Sequence, residues 1–98
     1  MLTSKQRAYL KGLAANENAI IQVGKGGITD NLIKTVSDAL EARELIKVTV
    51  LETAGDSPRI IQERLCAITG ADGVLVVGRK IVLYRESRDN KQIELPKK

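Results

Sequence analysis

Four consecutive residues between an apolar run and a predicted helix have the composition of an anion-binding loop. The tetrapeptide Gly24-Lys25-Gly26-Gly27, here called the GKGG loop, follows the apolar run 19–23, and Thr29 opens a helix-like stretch. Glycine lets a backbone approach a phosphate closely, and a helix start directs N–H groups and a positive dipole end toward the same space. Lys25 adds a positive charge. Because glycines also serve simple strand-to-helix turns, the loop alone leaves a purely structural role open.

Basic residues on neighbouring elements could extend this loop into a binding surface. Arg7 and Lys11 fall one turn apart on a predicted first helix, and Arg79 and Lys80 lie in a predicted hairpin turn. The chain has 16 Lys and Arg against 12 Asp and Glu, a net charge of +4, which favours acidic partners such as nucleic acid. Exposed Lys and Arg also commonly serve solubility, so a solvated role for each of these four remains an alternative.

Aromatic residues are too few for base stacking across a sheet. The chain has no Phe or Trp, and its two aromatic residues are Tyr9 and Tyr84. Tyr84 follows the apolar run 81–83 and is interpreted as an amphipathic sheet residue. Recognition by shape and by backbone contacts is therefore expected to dominate any RNA binding.

Catalytic and metal-binding patterns are missing from the sequence. Without histidine and with one cysteine, Cys66, the chain cannot form a Ser-His-Asp or Cys-His site, a histidine-zinc site or a thiolate cage. The loop matches neither G-x-x-x-x-G-K-[ST] nor G-x-G-x-x-G. The carboxylate pairs Glu41 with Glu44 and Glu52 with Asp56 are interpreted as solvated groups. We expect no catalytic residue, metal site, cofactor or small-molecule substrate.

The compartment follows from cysteine use and from hydropathy. Cys66 lies within an apolar helical pattern and is interpreted as a core thiol in a reducing compartment. No run approaches the ~20 apolar residues of a membrane helix, and the first residues lack the apolar region of a signal peptide. We expect a cytoplasmic protein with no membrane partner.

Hydrophobic periodicity predicts the element order α-β-α-β-α-β-β. This order predicts an α/β fold, as an α+β sandwich with a four-stranded mixed sheet packed with helices. In the third helix Ile61, Leu65 and Ile68 are expected to face inward. The predicted elements are a helix capped by Thr3 or Ser4 and ending near Ala15, strand 19–23, a helix from Thr29 to about Arg43, strand 45–51, a helix from Ser57-Pro58 to Gly70, and strands 74–77 and 81–84 joined by a turn at 78–80.

The length of 98 residues predicts one domain, 1–98, with an ordered part of about 2–85. The polar C-terminal tail beginning at Glu86 is expected to be loose, although Ile93 and Leu95 could dock. A right-handed crossover between the first two strands would place the GKGG loop and the connection 52–56 at one edge of the sheet.

Four sequence blocks in this order resemble a known family. They are Leu2-Thr3-Ser4-Lys5-Gln6-Arg7, Val23-Gly24-Lys25-Gly26-Gly27-Ile28-Thr29, Glu44-Leu45-Ile46-Lys47-Val48 and Leu83-Tyr84-Arg85. Together they look like the CRM domain, the chloroplast RNA splicing and ribosome maturation domain, in its single-domain bacterial YhbY form. The resemblance implies a fold similar to the C-terminal domain of translation initiation factor three. It also implies RNA binding, with the family's GxxG motif on Gly24, Lys25, Gly26 and Gly27.

The resemblance further implies ribosomal RNA and precursors of the large ribosomal subunit as partners. The expected function is therefore that of a non-enzymatic RNA-binding protein that assists assembly of the large subunit. Two alternatives remain: a nucleotide-binding enzyme that uses the glycine loop, and a protein-interaction module on the ribosome.

Overall fold

The computed structural model describes residues 2–97, which form three α-helices and a four-stranded mixed sheet in the predicted order. This confirms the predicted fold class. A short 3-10 helix at Glu52–Ala54 follows the second strand. The elements are α1 (Ser4–Ala14), β1 (Ala19–Val23), α2 (Asp30–Arg43), β2 (Leu45–Val50), α3 (Pro58–Thr69), β3 (Asp72–Val77) and β4 (Lys80–Tyr84).

Side-chain caps start all three helices. Thr3, rather than Ser4, caps α1, and it forms a reciprocal capping box with Gln6. Thr29 caps α2, and Ser57 caps α3 ahead of a proline at the first helical position. Gly70 ends α3 with a φ of 79°, a left-handed conformation that favours glycine. These local signals explain why the sequence located the helices to within a residue or two.

The sheet has the order β1-β2-β4-β3, with β1 parallel to β2 and β4 antiparallel to both its neighbours. β1 and β3 are therefore its edge strands. The carboxyl ends of β1 and β2 and the β3–β4 hairpin all lie at one end of the sheet. The hairpin turn consists of Gly78 and Arg79, one residue shorter than predicted, because Lys80 is already the first residue of β4.

Each face of the sheet buries a separate apolar cluster. The face under α2 and α3 holds the larger core, to which these helices contribute Val36, Leu40, Ile61 and Leu65. The other face carries a smaller cluster of Leu10, Ala14, Leu45, Val74, Val82 and Tyr84, covered by α1. Ile68, predicted to face inward, is 52% exposed. The prediction for Ile68 is wrong because the apolar stripe of α3, which begins with Ile61 and Leu65, turns away from the sheet at the last turn of the helix.

The C-terminal tail is irregular, but it is held on the body of the domain. The Glu44 carboxylate, fully buried, accepts hydrogen bonds from the backbone N–H groups of Ser87 (2.8 Å), Gln92 (2.7 Å) and Ile93 (2.7 Å). Ile93 and Leu95 pack against the smaller cluster. These two apolar side chains therefore dock, and hydrogen bonds to Glu44 hold the segment that was expected from the sequence to be loose.

Glu41 supports the same segment, accepting hydrogen bonds from the Ser87 hydroxyl at 2.7 Å and from the backbone N–H of Arg88 at 3.2 Å. The interpretation of Glu44 as a solvated carboxylate is therefore wrong, whereas Glu41 is partly exposed and also binds the tail. Their backbone partners are N–H groups more than forty residues away in the chain, and the residue types at those positions do not predict these hydrogen bonds. Arg85 connects the two helices of the larger layer, because its guanidinium donates to the carbonyl oxygens of Ser37 and Thr69.

No helix within residues 2–97 is both long enough and apolar enough to cross a membrane.

Candidate nucleic-acid interface

The GKGG loop leaves the carboxyl end of β1 as a tight turn. The N–H of Gly27 donates to the carbonyl oxygen of Gly24 at 2.9 Å, which closes the turn. Gly27 has a φ of +62°, in the left-handed region that favours glycine. Lys25 and Gly26, at the tip, are exposed. The loop therefore projects its lysine and one glycine into solvent.

Two backbone donors at this tip are available to a ligand. Among residues 2–97, neither the N–H of Lys25 nor that of Gly26 is paired with an acceptor. The N–H of Gly27 is already used within the turn. An anion at the tip could thus accept hydrogen bonds from two adjacent amides and the Lys25 ammonium group.

The start of α2 contributes less to anion binding than the sequence suggested. Thr29 satisfies the N–H of Leu32 with its hydroxyl at 3.1 Å and the N–H of Ile33 with its carbonyl oxygen at 2.9 Å. Asp30 places an exposed carboxylate in the first turn, where it already complements the positive end of the helix. The loop tip is therefore the better anion site.

The connection after β2 lies beside the loop, as the crossover argument predicted. A Cβ atom added to Gly27 would lie 3.4 Å from the carbonyl oxygen of Ala54, and one added to Gly24 would lie 3.7 Å from Leu51 Cδ1. The positive φ favours glycine at position 27, and a Cβ there would be in van der Waals contact with Ala54. Gly24 has room for a side chain, so its glycine is not required by packing.

A row of three polar side chains and one valine extends from the loop across the uncovered part of the sheet. Paired residues on neighbouring strands point to the same face, and the register pairs Gln22 with Thr49, Thr49 with Lys80, and Lys80 with Val77. We call these four residues the open sheet face. Its members are exposed, except for half-buried Thr49, because α1 packs over the other end of the sheet.

Lysine gives this face a positive charge. Lys47 lies on the same side of β2 as Thr49, two residues before it, and is half-buried. The ion pairs among residues 2–97 are Lys34–Asp38, Arg64–Asp56 and Lys91–Glu86, so Lys25, Lys47 and Lys80 take part in none. Lys47 was not among the site residues expected from the sequence. Strand alternation was the signal that could have identified it.

Arg79 has a structural role at the hairpin. Its guanidinium donates from Nε to the carbonyl oxygen of Val50 at 2.7 Å and from Nη2 to that of Leu51 at 2.8 Å. These bonds join the hairpin to the end of β2 and occupy two of the donor nitrogens that a phosphate would need. Lys80, by contrast, extends from the open sheet face.

Arg7 and Lys11 belong to a different layer of the molecule. Both lie on α1, where Arg7 is half-buried and Lys11 is exposed. α1 packs against Leu45 and Tyr84, at the end of the sheet away from the GKGG loop. The structure therefore groups Lys25 with Lys80 and does not bring Arg7 and Lys11 into that group.

Tyr84 and Cys66 are part of the packing. Tyr84 is buried in the smaller cluster, and burial raises the pKa of its hydroxyl to about 12, assisted by the negative charges of Glu44, Glu86 and Asp72. Burial likewise raises the pKa of the Cys66 thiol to about 11, so the thiolate is scarce at neutral pH. Neither group is arranged to bind RNA or to react.

The comparisons with known proteins agree with this fold. Residues 2–85 match the CRS1/YhbY (CRM) domain, and the chain belongs to this family. It is 49% identical to the "Probable RNA-binding protein YqeI" of Bacillus subtilis, covering 98% of this chain and 100% of the relative. An RNA-binding protein of Haemophilus influenzae is 36% identical, over 99% of this chain and 97% of its own.

A solved structure shows the same fold. The solution structure of a hypothetical protein from Staphylococcus aureus, described as a candidate RNA-binding protein, superposes with a TM-score of 0.82 and 52% identity. The match covers 98% of this chain and 100% of the other. The fold and the family therefore define a protein of the CRM class.

Proposed function

We infer that this protein binds ribosomal RNA through the GKGG loop and the adjoining open sheet face, without catalysing a reaction, and so assists assembly of the large ribosomal subunit. The observation that carries this proposal is the exposed loop tip, where the N–H groups of Lys25 and Gly26 have no acceptor among residues 2–97 and Lys25 supplies a positive charge. Membership of an RNA-binding family supports RNA as the ligand, and the family resemblance supports large-subunit precursors as its context.

Crosslinking in cells tests the identity of the RNA. The protein is crosslinked at its natural abundance, and the attached RNA is sequenced from free and ribosome-bound fractions. We expect large-subunit ribosomal RNA to dominate, with most of it in precursor particles. A strong enrichment of messenger or transfer RNA, with ribosomal RNA at background, would contradict the proposal while leaving RNA binding itself intact.

Replacing Lys25 by alanine tests the contact at the loop tip. Phosphate contacts release counterions, so we expect the affinity of the parent for RNA to fall steeply with salt, and the variant to lower that slope by about one unit. The affinity for all RNA sequences should fall by up to about fivefold, because an exposed ion pair contributes about 0.2–1 kcal/mol. Filter binding between low and physiological salt measures both quantities.

Arg43→Ala is the matched control for Lys25→Ala. It also removes one exposed positive charge, but from the other end of α2, about 20 Å from the loop at 1.5 Å per residue. We expect little change in the salt slope with this control. If the two substitutions have equal effects, Lys25 contributes to RNA binding only through the net charge of the protein and not through a contact with a phosphate.

A further inference from the structure

The free edge of β1 borders an open groove beside the GKGG loop. The groove has a volume of about 460 Å³, and it runs between β1 and the first turns of α2. The loop forms one end of it. Its other lining residues include Ile20, Gln22, Asn31, Leu32 and Thr35. We call it the edge groove.

The direction of the hydrogen bonds in β1 determines which backbone groups face the edge groove. The carbonyl oxygen of Val23 accepts from the N–H of Leu51 at 2.9 Å, so the polar groups of Val23 point toward β2. Backbone polar groups alternate sides along a strand, and β1 has no neighbour on its other side. The N–H and C=O of Gln22 therefore point out of the sheet into the groove.

The groove walls differ in chemistry. Ile20, which is 42% exposed, and half-buried Leu32 offer aliphatic surface, whereas Gln22 offers one donor and one acceptor side by side. The Lys25 charge lies at the end formed by the loop. Apolar surface, a paired donor and acceptor, and an adjoining cation match the three parts of a nucleotide: the base face, the base edge and the phosphate.

We propose that the edge groove binds an unpaired nucleotide of RNA, whose base lies against Ile20 and Leu32 and whose edge hydrogen-bonds to the backbone N–H and C=O of Gln22. A phosphate of the same strand then lies at the tip of the GKGG loop. The volume falls within the range of about 300–1,000 Å³ that is usual for small-ligand sites, so a base fits. Bases in a duplex are stacked and paired, and their edges cannot enter such a groove. This inference rests on the proposed RNA-binding function.

Three probes separate base recognition from phosphate binding. They are a short single-stranded RNA, the same strand annealed to its complement, and an abasic ribose-phosphate strand of equal length. We expect the single strand to bind at least tenfold more tightly than the abasic strand, and more tightly than the duplex. Fluorescence anisotropy measures all three at low and at physiological salt. The single strand and the abasic strand carry the same number of phosphates, so the difference between their affinities reports the contribution of the bases.

Substitutions at Thr35 then block the groove without altering the loop. Thr35 is exposed, and its hydroxyl donates to the carbonyl oxygen of Asn31 in its own helix. Thr35→Gln adds volume without charge, and Thr35→Glu adds similar volume with a negative charge. We expect both to lower the affinity for the single strand toward the abasic level. Ala67→Glu, which adds the same charge on the exposed side of α3, is the control and should have little effect.

The outcomes distinguish the groove from the broader function. If all three probes bind equally, and Lys25→Ala weakens them all while the Thr35 variants bind like the parent, the edge groove proposal is overturned and the RNA-binding function stands. If none of the probes binds in a salt-dependent way, the proposed function itself fails. Thermal melts of the Thr35 and Ala67 variants confirm that each is folded before the affinities are compared.

Discussion

A double replacement of Gly26 and Gly27 by aspartate is expected to weaken binding to ribosomal RNA by at least tenfold, more than Lys25→Ala does. Two carboxylates would lie where a phosphate approaches, and two like charges 4 Å apart repel by about 1 kcal/mol in water and by about 4 kcal/mol at a protein surface. Side chains at both positions would also hold the RNA backbone away from the amides of the loop tip. Binding to a large-subunit RNA fragment, by filter retention at physiological salt, measures the loss.

The asparagine pair Gly26→Asn with Gly27→Asn separates shape from charge. A Cβ at position 26 would lie 3.3 Å from Thr29 Cγ2, a contact that needs a shift of a few tenths of an ångström. At position 27 the φ of +62° disfavours most side chains, but asparagine and aspartate adopt this conformation more readily. Both double variants should therefore have similar stability, which thermal melts check.

We expect the asparagine variant to bind RNA with an affinity between those of the parent and the aspartate variant. A loss in the aspartate variant alone would show that the phosphate lies near the loop without needing its close approach. If the aspartate variant is folded and still binds ribosomal RNA and large-subunit precursors like the parent, the GKGG loop is a structural turn and the assignment of the site is wrong.

The second large effect is expected at Glu44. Replacing it by alanine leaves the three tail N–H groups without their charged acceptor, and hydrogen bonds to a charged group contribute about 1.5–3 kcal/mol. The freed tail can be hydrated, which limits the loss to about 3 kcal/mol in the free energy of unfolding. At this limit, the melting temperature of a domain of this size should fall by about 12–24 °C. Amide exchange in the tail should accelerate.

Acid should weaken the same attachment. Burial acts to raise the pKa of the Glu44 carboxyl, but the N–H groups of Ser87, Gln92 and Ile93 outweigh it, and the pKa lies below its ordinary value of 4.5. The hydroxyl of Ser87, with the N–H groups of Arg88 and Asp89, lowers the pKa of Glu41 as well. A lowered pKa in the folded state means that the stabilisation is complete above about pH 4.5 and is lost as the pH falls through the folded-state values.

Glu44→Gln tests this linkage, because its neutral amide does not titrate. We expect the variant to be less stable than the parent at pH 7 and to lose less further stability between pH 5 and pH 3. Glu63→Gln, on the exposed surface of α3, is the control and should behave like the parent. A parent-like melting temperature for Glu44→Ala, with unchanged amide exchange in the tail, would contradict the structural role of this carboxylate.

The relation between sequence and structure differs among the parts of the candidate site. The loop could be recognised directly, because an apolar run, four small or basic residues and a capping Thr29 are contiguous in the chain. Its position beside the connection after β2 followed from the handedness of the parallel crossover. The placement of Arg79 could not be predicted. Its guanidinium donates to backbone carbonyl oxygens 28 and 29 residues away, and no side-chain pattern identifies such acceptors in the sequence.

The features that residue type and spacing alone predict are local: the caps of the helices, the alternation in the strands, the glycine turn and hence the order of elements. These follow from interactions within about four residues, for which residue type and spacing are sufficient. Residue type and spacing do not predict that Glu44 is buried under the tail, that Ile68 faces solvent, or that β1 is an edge strand bordering a groove. Each of these features depends on which distant segments of the chain become neighbours in the fold. Backbone hydrogen-bonding groups are the same for nearly every residue type, so the sequence does not show which segments will pair.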